Sequence, residues 1–203
     1  MNRLHNRADF EESYSGEPPW DIGKPQRPFT ELGNRVLSPV LDAGCGTGDT
    51  SLFFAGRGCV VTGIDFTKGA IRKARAKAAL QKLDVKFLVK DALTLADWDA
   101  RFNTVLDSGL FHGLSDEDRR SYVQGLAHVL QPNGQLFLMC FSDEEPGDEG
   151  PRRVSQQELH AIFAHGWHIE SVVAVRIEVN PTFNELFSQG GPKAWFATIQ
   201  RKT

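Results

Sequence analysis

Three glycines at alternating positions, Gly44, Gly46 and Gly48 in the segment VLDAGCGTGD, carry the spacing that most constrains chemistry in this chain. Glycine reaches backbone conformations closed to other residues and lets a ligand approach the main chain without meeting a Cβ. The loop follows an apolar run ending at Asp42 and Ala43, and a second apolar run, CVVTGID, ends at Asp65 with Phe66 next to it. A carboxylate at that point, 17 residues beyond Gly48, can accept hydrogen bonds from the ribose hydroxyls of a nucleoside. A dinucleotide fingerprint needs G-x-G-x-x-G, whereas Asp49 stands here where the third glycine would fall. Asp42 adds negative charge beside the ligand, which works against a pyrophosphate. A sulfonium cofactor with an amino-acid tail, S-adenosylmethionine, has no phosphates to repel and an ammonium group to satisfy. A dinucleotide, or a glycine turn with no ligand, stays open; the Walker phosphate loop does not occur.

Further polar residues follow other apolar runs. Lys90-Asp91-Ala92 closes the third, and a carboxylate and backbone N–H at that height face the adenine edge of a bound nucleoside; Asp91 as a helix cap is the alternative. The fourth ends in Asp107-Ser108-Gly109-Leu110-Phe111-His112, which brings polar groups toward the reacting centre. His112 is the leading general-base candidate, since histidine titrates in the range needed to take a proton from a hydroxyl nucleophile. Its alternative is a turn histidine bonded only to the main chain, and Asp107 could equally be a buried carboxylate that orders the loop. His5 is a weaker base candidate. His160, His165 and His168 lack carboxylate or cysteine neighbours of ligand type, so no metal site is expected.

The elements that must position these residues alternate. Strands are expected at 36–43, 59–65, 85–89, 102–107 and 135–141, with two more at 168–175 and 194–201. Helices are expected from Thr50, over 67–83 with Thr67 as N-cap and an inward stripe of Ile71, Ala74, Ala78 and Leu80 or Ala79, over 115–130 and over 155–163, and a short one within 182–188. Pro132-Asn133-Gly134 reads as a turn. This pattern implies an α/β, Rossmann-like, doubly wound sheet of about seven strands, mostly parallel with an antiparallel last strand, and helices on both faces. One domain is expected over 1–203, with 1–30 as an amino-terminal segment and 31–203 as the core.

Composition excludes little more. Hydrophobic residues at 40% and charged residues at 24% fit a soluble globular chain, and no apolar run is long enough to span a membrane. The polar first residues do not read as a signal peptide, and three cysteines, an odd number, suggest a reducing cytoplasm. A net charge of −3 recruits neither nucleic acid nor an anionic membrane. The basic residues Lys68, Arg72, Lys73, Arg75, Lys77 and Lys82 read as a solvated helix face, and Asp143–Glu149 as a solvated loop.

With these residues in hand, the chain resembles class I S-adenosylmethionine-dependent methyltransferases over nearly its whole length. Within them it is similar to the thiopurine and plant halide/thiol methyltransferases and to bacterial heterocyclic-toxin methyltransferases, which act on hydroxyquinolones. Arg7–Phe10 (RADF), Pro18–Gln26 (PPWDIGKPQ), the glycine loop and Arg101–His112 carry the likeness. The glycine loop marks only the superfamily; the Pro18–Gln26 block is more selective. The resemblance implies an aromatic segment closing over the cofactor, with Phe10, Tyr14 and Trp20 in that role. Phe10 and Tyr14 stand where better-known members carry tryptophan. It also implies that Ala43 and Gly44 approach the methionine portion, Asp65 the ribose, Asp91 and Ala92 the adenine, and Ser108 the carboxylate tail or the substrate. The implied partner is a small-molecule methyl acceptor, with the chain a monomer or homodimer; methylation of protein or RNA, or cofactor binding without catalysis, is the alternative.

Overall fold

A computed structural model describes residues 7–203. Among them β1 (Val40–Ala43), β2 (Val61–Asp65), β3 (Lys86–Val89), β4 (Phe102–Ser108), β5 (Leu130–Phe141), β6 (Trp167–Arg176) and β7 (Lys193–Arg201) form one sheet in the order β3-β2-β1-β4-β5-β7-β6. The first five pair in parallel, and β7 runs antiparallel to both β5 and β6. The result is the Rossmann-like α/β sheet read from the alternation of patterns. Strand order reverses between β1 and β4, and in such sheets ligands bind beyond the carboxyl ends of the strands at that reversal.

β1 is apolar on three of its four residues and buried throughout, as a central parallel strand covered on both faces must be. Alternate residues of each central strand enter different cores. Leu41, Val105 and Leu136 join Tyr122 and Leu126 of α5 (Asp116–Val129) and Leu159 of α6 (Gln156–Ile162). Val40, Leu106 and Phe137 join Phe29 of α2 (Arg27–Thr30) and Phe54 of α3 (Asp49–Ala55) on the other face. There α4 (Lys68–Gln81) buries Ala70, Ile71, Ala74 and Ala78, while Leu80 and Ala79 point outward. The expected stripe therefore ends at Ala78.

Several boundaries differ from expectation for local reasons. β1 starts at Val40, not Val36, because Pro39 has no N–H to give to a ladder. Ahead of it, Thr104 Oγ1 accepts from the Leu37 N–H at 2.9 Å and donates to the Leu37 carbonyl at 3.0 Å. The Pro132-Asn133-Gly134 turn lies within the bounds of β5, whose Leu130 already pairs with Phe102 before a register shift. Ser115 caps α5 and Ser155 with Glu158 forms a capping box on α6. Pro181–Leu186 forms a short 3-10 helix.

Candidate functional site

Three carboxylates are buried at the carboxyl ends of adjacent strands: Asp42 on β1, Asp65 on β2 and Asp107 on β4. Asp42 accepts from Ser51 Oγ of α3 at 2.6 Å, and burial pushes its pKa up to about 7. Asp65 is filled from two sides. Its Oδ2 accepts from the Gly46 N–H at 3.1 Å, and its Oδ1 from the Thr67 N–H at 2.8 Å and the Thr67 hydroxyl at 2.6 Å. Burial still raises its pKa. Asp107 Oδ1 accepts from the Leu110 and Phe111 amides at 2.8 and 3.2 Å, and Oδ2 from the Tyr122 hydroxyl at 3.0 Å. It too is raised to about 7 by burial. With no exposed surface and both oxygens engaged, Asp107 orders the loop after β4.

Between these carboxylates lies the glycine loop. Gly44, Gly46 and Gly48 all have positive φ (69°, 52° and 86°), which favours glycine at each. A Cβ on Gly44 would stand 2.9 Å from Leu110 Cβ, and one on Gly46 would stand 2.9 Å from Tyr14 Oη. The loop is also braced from outside. Lys77 Nζ of α4 donates to Thr47 Oγ1 at 2.8 Å and to both oxygens of Asp49 at 2.9 and 2.8 Å, and Thr47 Oγ1 donates to Asp21 at 2.8 Å. So Lys77 is no part of a merely solvated face. Nor are its neighbours on α4: Arg75 donates to the Phe87 carbonyl at 2.6 Å and Lys73 to that of Gly16 at 3.2 Å.

An aromatic group stands over this loop. Phe10 of α1 (Arg7–Ser13) packs on Trp20 and Phe66, with centroids 5.6 and 5.5 Å apart. Tyr14, just beyond α1, is buried and meets Trp20 edge-on, and its hydroxyl accepts from Trp20 Nε1 at 3.0 Å. Thr67 occupies the N-cap position of α4, but its hydroxyl is spent on Asp65. Glu11 of α1 takes over, accepting from the Lys68 and Gly69 amides at 2.7 and 3.2 Å. That contact was invisible in the sequence, as was the clamp of Gln26, whose amide donates to the Glu178 carbonyl and accepts from the Glu178 N–H at 2.7 and 2.8 Å.

Asp91 lies exposed at the end of β3 and accepts from the Leu93 N–H at 2.9 Å, capping a 3-10 turn, with Ala92 buried beside it. Ala43 is buried at the end of β1 and Ser108 half-buried at the end of β4. His112 is half-buried; its Nδ1 accepts from the Phe141 N–H at 3.0 Å, and burial, then Arg153, pulls its pKa down to about 3. His5 lies outside the described residues. Among the described residues no cluster of histidine, cysteine, aspartate or glutamate could hold a metal, and no helix is long and apolar enough to cross a membrane. The segment Asp143–Glu149 is not merely solvated. Glu145 is buried and accepts from the Ser188 and Lys193 amides at 2.9 and 2.8 Å; burial pushes its pKa up, but these donors outweigh it and hold the carboxyl low. Arg153 donates to the carbonyls of Glu145, Glu149 and Gly147. A cleft of about 370 Å³ lined by Arg35, Asn103, Asn133 and Gln200 lies at the opposite end of the sheet, away from the carboxylates and the glycine loop.

Residues 40–134 match the model of a methyltransferase domain. Over 195 residues the chain is 35% identical to the 2-heptyl-1-hydroxyquinolin-4(1H)-one methyltransferase of Mycobacteroides abscessus, covering 90% of this chain and 85% of that one. The chain belongs to the class I S-adenosylmethionine-dependent methyltransferases. A solved structure from work on the conversion of a disulfide bond into a thioacetal group during echinomycin biosynthesis superposes on this methyltransferase with a TM-score of 0.86 and 33% identity, over 98% of this chain and 94% of the other. The 1,6-didemethyltoxoflavin N1-methyltransferase of Burkholderia thailandensis shares the fold at 22% identity, with a TM-score of 0.75 over 97% and 87% of the two chains. S-adenosylmethionine is the methyl donor, and the residues fit it. The three glycines hold positive φ and offer their main chain at the strand ends, buried carboxyl groups beside them can accept from a nucleoside and its ammonium tail, and ring faces nearby suit a sulfonium.

Proposed function

We propose that this methyltransferase acts on a small-molecule nucleophile: a heteroaromatic hydroxyl or nitrogen, or a thiol. The observation that carries this is the aromatic group of Phe10, Tyr14, Trp20 and Phe66 standing over the glycine loop, within a chain that matches a hydroxyquinolone methyltransferase over 90% of its length. The hydroxyquinolone relative and the thioacetal-forming one point the same way. Residues 1–30 serve as a lid on a core of 31–203.

Gly44, Gly46 and Gly48 hold the donor by their backbone, with Ala43 and Asp42 beneath. Asp65 takes the ribose, Asp91 and Ala92 the adenine, and Ser108 the amino-acid tail. When bound, S-adenosylmethionine supplies a methyl group on a positively charged sulfur, already activated for in-line displacement. The protein's part is positioning and exclusion of water. Phe10, Tyr14 and Trp20 keep water from the site. Asp107 is a positioning residue: by holding the Leu110 and Phe111 amides it fixes where His112 stands. Three cysteines without a disulfide suit a cytoplasmic setting.

The test is incubation with methyl-labelled donor and a panel of hydroxyquinolones, N-hydroxy heterocycles and thiols, beside a cell extract. Label on panel members supports the reading. Label confined to protein or RNA, or no transfer to any acceptor, overturns it.

A further inference from the structure

We propose that His112 meets the acceptor as a hydrogen-bond donor through Nε2–H, and that the enzyme selects nucleophiles already ionised in solution: acidic heteroaromatic hydroxyls, N-hydroxyls and thiols. The inference rests on the small-molecule reading above and gives one residue of the site a defined part in it.

A backbone N–H can only donate, so the contact between the Phe141 amide and His112 Nδ1 requires a lone pair on Nδ1. The single proton of the neutral ring then sits on Nε2. To accept a proton there, the ring would have to become an imidazolium or first move its proton to Nδ1. Either change sets an N–H against the Phe141 N–H. The ring is also fixed in place. It meets Phe141 edge-on with centroids 5.1 Å apart, and its Cε1 and Nε2 lie 3.3 Å from where a Cβ on Gly109 would stand. The charged groups facing this residue are the guanidinium of Arg153, which also lies 5.2 Å from the centre of the Phe141 ring, and Arg119, which donates to the His112 carbonyl at 3.4 Å. Both are cations, and Arg153 opposes a positive charge on the imidazole.

Nε2 makes no hydrogen bond among the described residues, so its proton is available to a ligand. The ring stands in the loop that follows β4 at the reversal of strand order, two residues beyond Leu110, which packs on Gly44. A donor placed there can orient an anionic acceptor. It cannot create the anion. The proton of the nucleophile must therefore leave to solvent before binding, which admits groups with a pKa near or below ambient pH and rejects aliphatic alcohols.

The direct test is tautomer analysis by nitrogen-15 NMR on histidine-labelled enzyme saturated with S-adenosylhomocysteine, with His112→Gln assigning the signal. The expected spectrum has a neutral His112 protonated on Nε2 throughout about pH 6 to 8. A proton on Nδ1, or an imidazolium at neutral pH, overturns the proposal whether or not an acceptor has been found. Kinetics on turned-over acceptors give a second reading. His112→Leu should lower kcat/KM by about 10- to 100-fold, and His112→Gln, which keeps an N–H near the Nε2 position, should restore most of it. The pH midpoint should move with the pKa of each acceptor. A midpoint common to all acceptors and lost in His112→Gln would restore the base. Failure of every small molecule as acceptor would sink the functional reading and leave the tautomer result standing.

Discussion

Asp65→Asn removes one charge and changes little else in size, and the structure fixes what it should cost. Both carboxylate oxygens of Asp65 accept from backbone N–H groups, Gly46 on one side and Thr67 on the other, with the Thr67 hydroxyl as a third donor. Asparagine has a single acceptor oxygen, so either orientation of its amide sets an NH2 against a main-chain donor. One charge-assisted hydrogen bond is lost, about 1.5–3 kcal/mol, and a buried donor is left opposed, about 1–3 kcal/mol. Relief from burying a carboxylate, visible in its raised pKa, offsets part of this. The net expectation is a loss of about 2 kcal/mol in folding stability near neutral pH by urea unfolding. Because the same oxygens fix Gly46 and are assigned to the ribose, affinity for S-adenosylhomocysteine by calorimetry should fall by about 10- to 100-fold. A variant that matches the parent in both unfolding and binding would refute the reasoning about this strand end.

Other perturbations have separable readouts. Lys77→Met removes the cation that joins Thr47 to Asp49; this partly exposed contact should cost no more than about 1 kcal/mol of stability, yet binding of S-adenosylhomocysteine should weaken several-fold. Unchanged binding would mean that the loop holds its shape unaided. Glu11→Ala uncaps α4, so hydrogen exchange at Lys68 and Gly69 should accelerate while exchange in β1 stays slow; no change at those amides would deny the latch. Asp42, with a folded pKa of about 7 against an ordinary 3.8, keeps a proton when folded that the unfolded chain has released. Stability it contributes below pH 3.8 is therefore lost as pH rises through about 7, and Asp42→Asn should flatten the fall in urea midpoint over that window. A slope identical to the parent's would show that another group sets it.

The parts of this site that were legible in the sequence are those written locally. Alternate glycines after an apolar run mark a strand–turn–helix, and an aspartate closing the next apolar run falls where a parallel sheet must put it. The missed contacts are long-range. Lys77 is one of six basic residues on or beside α4, and nothing in its sequence neighbourhood separates the one that reaches Thr47 and Asp49 from those that face water. Thr67 has the right residue type for a cap, but Asp65 claims its hydroxyl and Glu11, 57 residues away from Lys68, supplies the cap. His112 has the right type for a base; its tautomer is set by an amide 29 residues further on. Arg153 and Glu145, which tie down the acidic loop, were obscured by the high local charge.

The most direct test of the account is a crystal structure with S-adenosylhomocysteine bound. It should show the nucleoside against Gly44–Gly48 with its ribose on Asp65, the Phe10, Tyr14 and Trp20 rings closing over it, and the sulfur on the side of Gly109 and His112. A ligand bound elsewhere on the sheet, or in this cleft with its ribose away from Asp65, would contradict it.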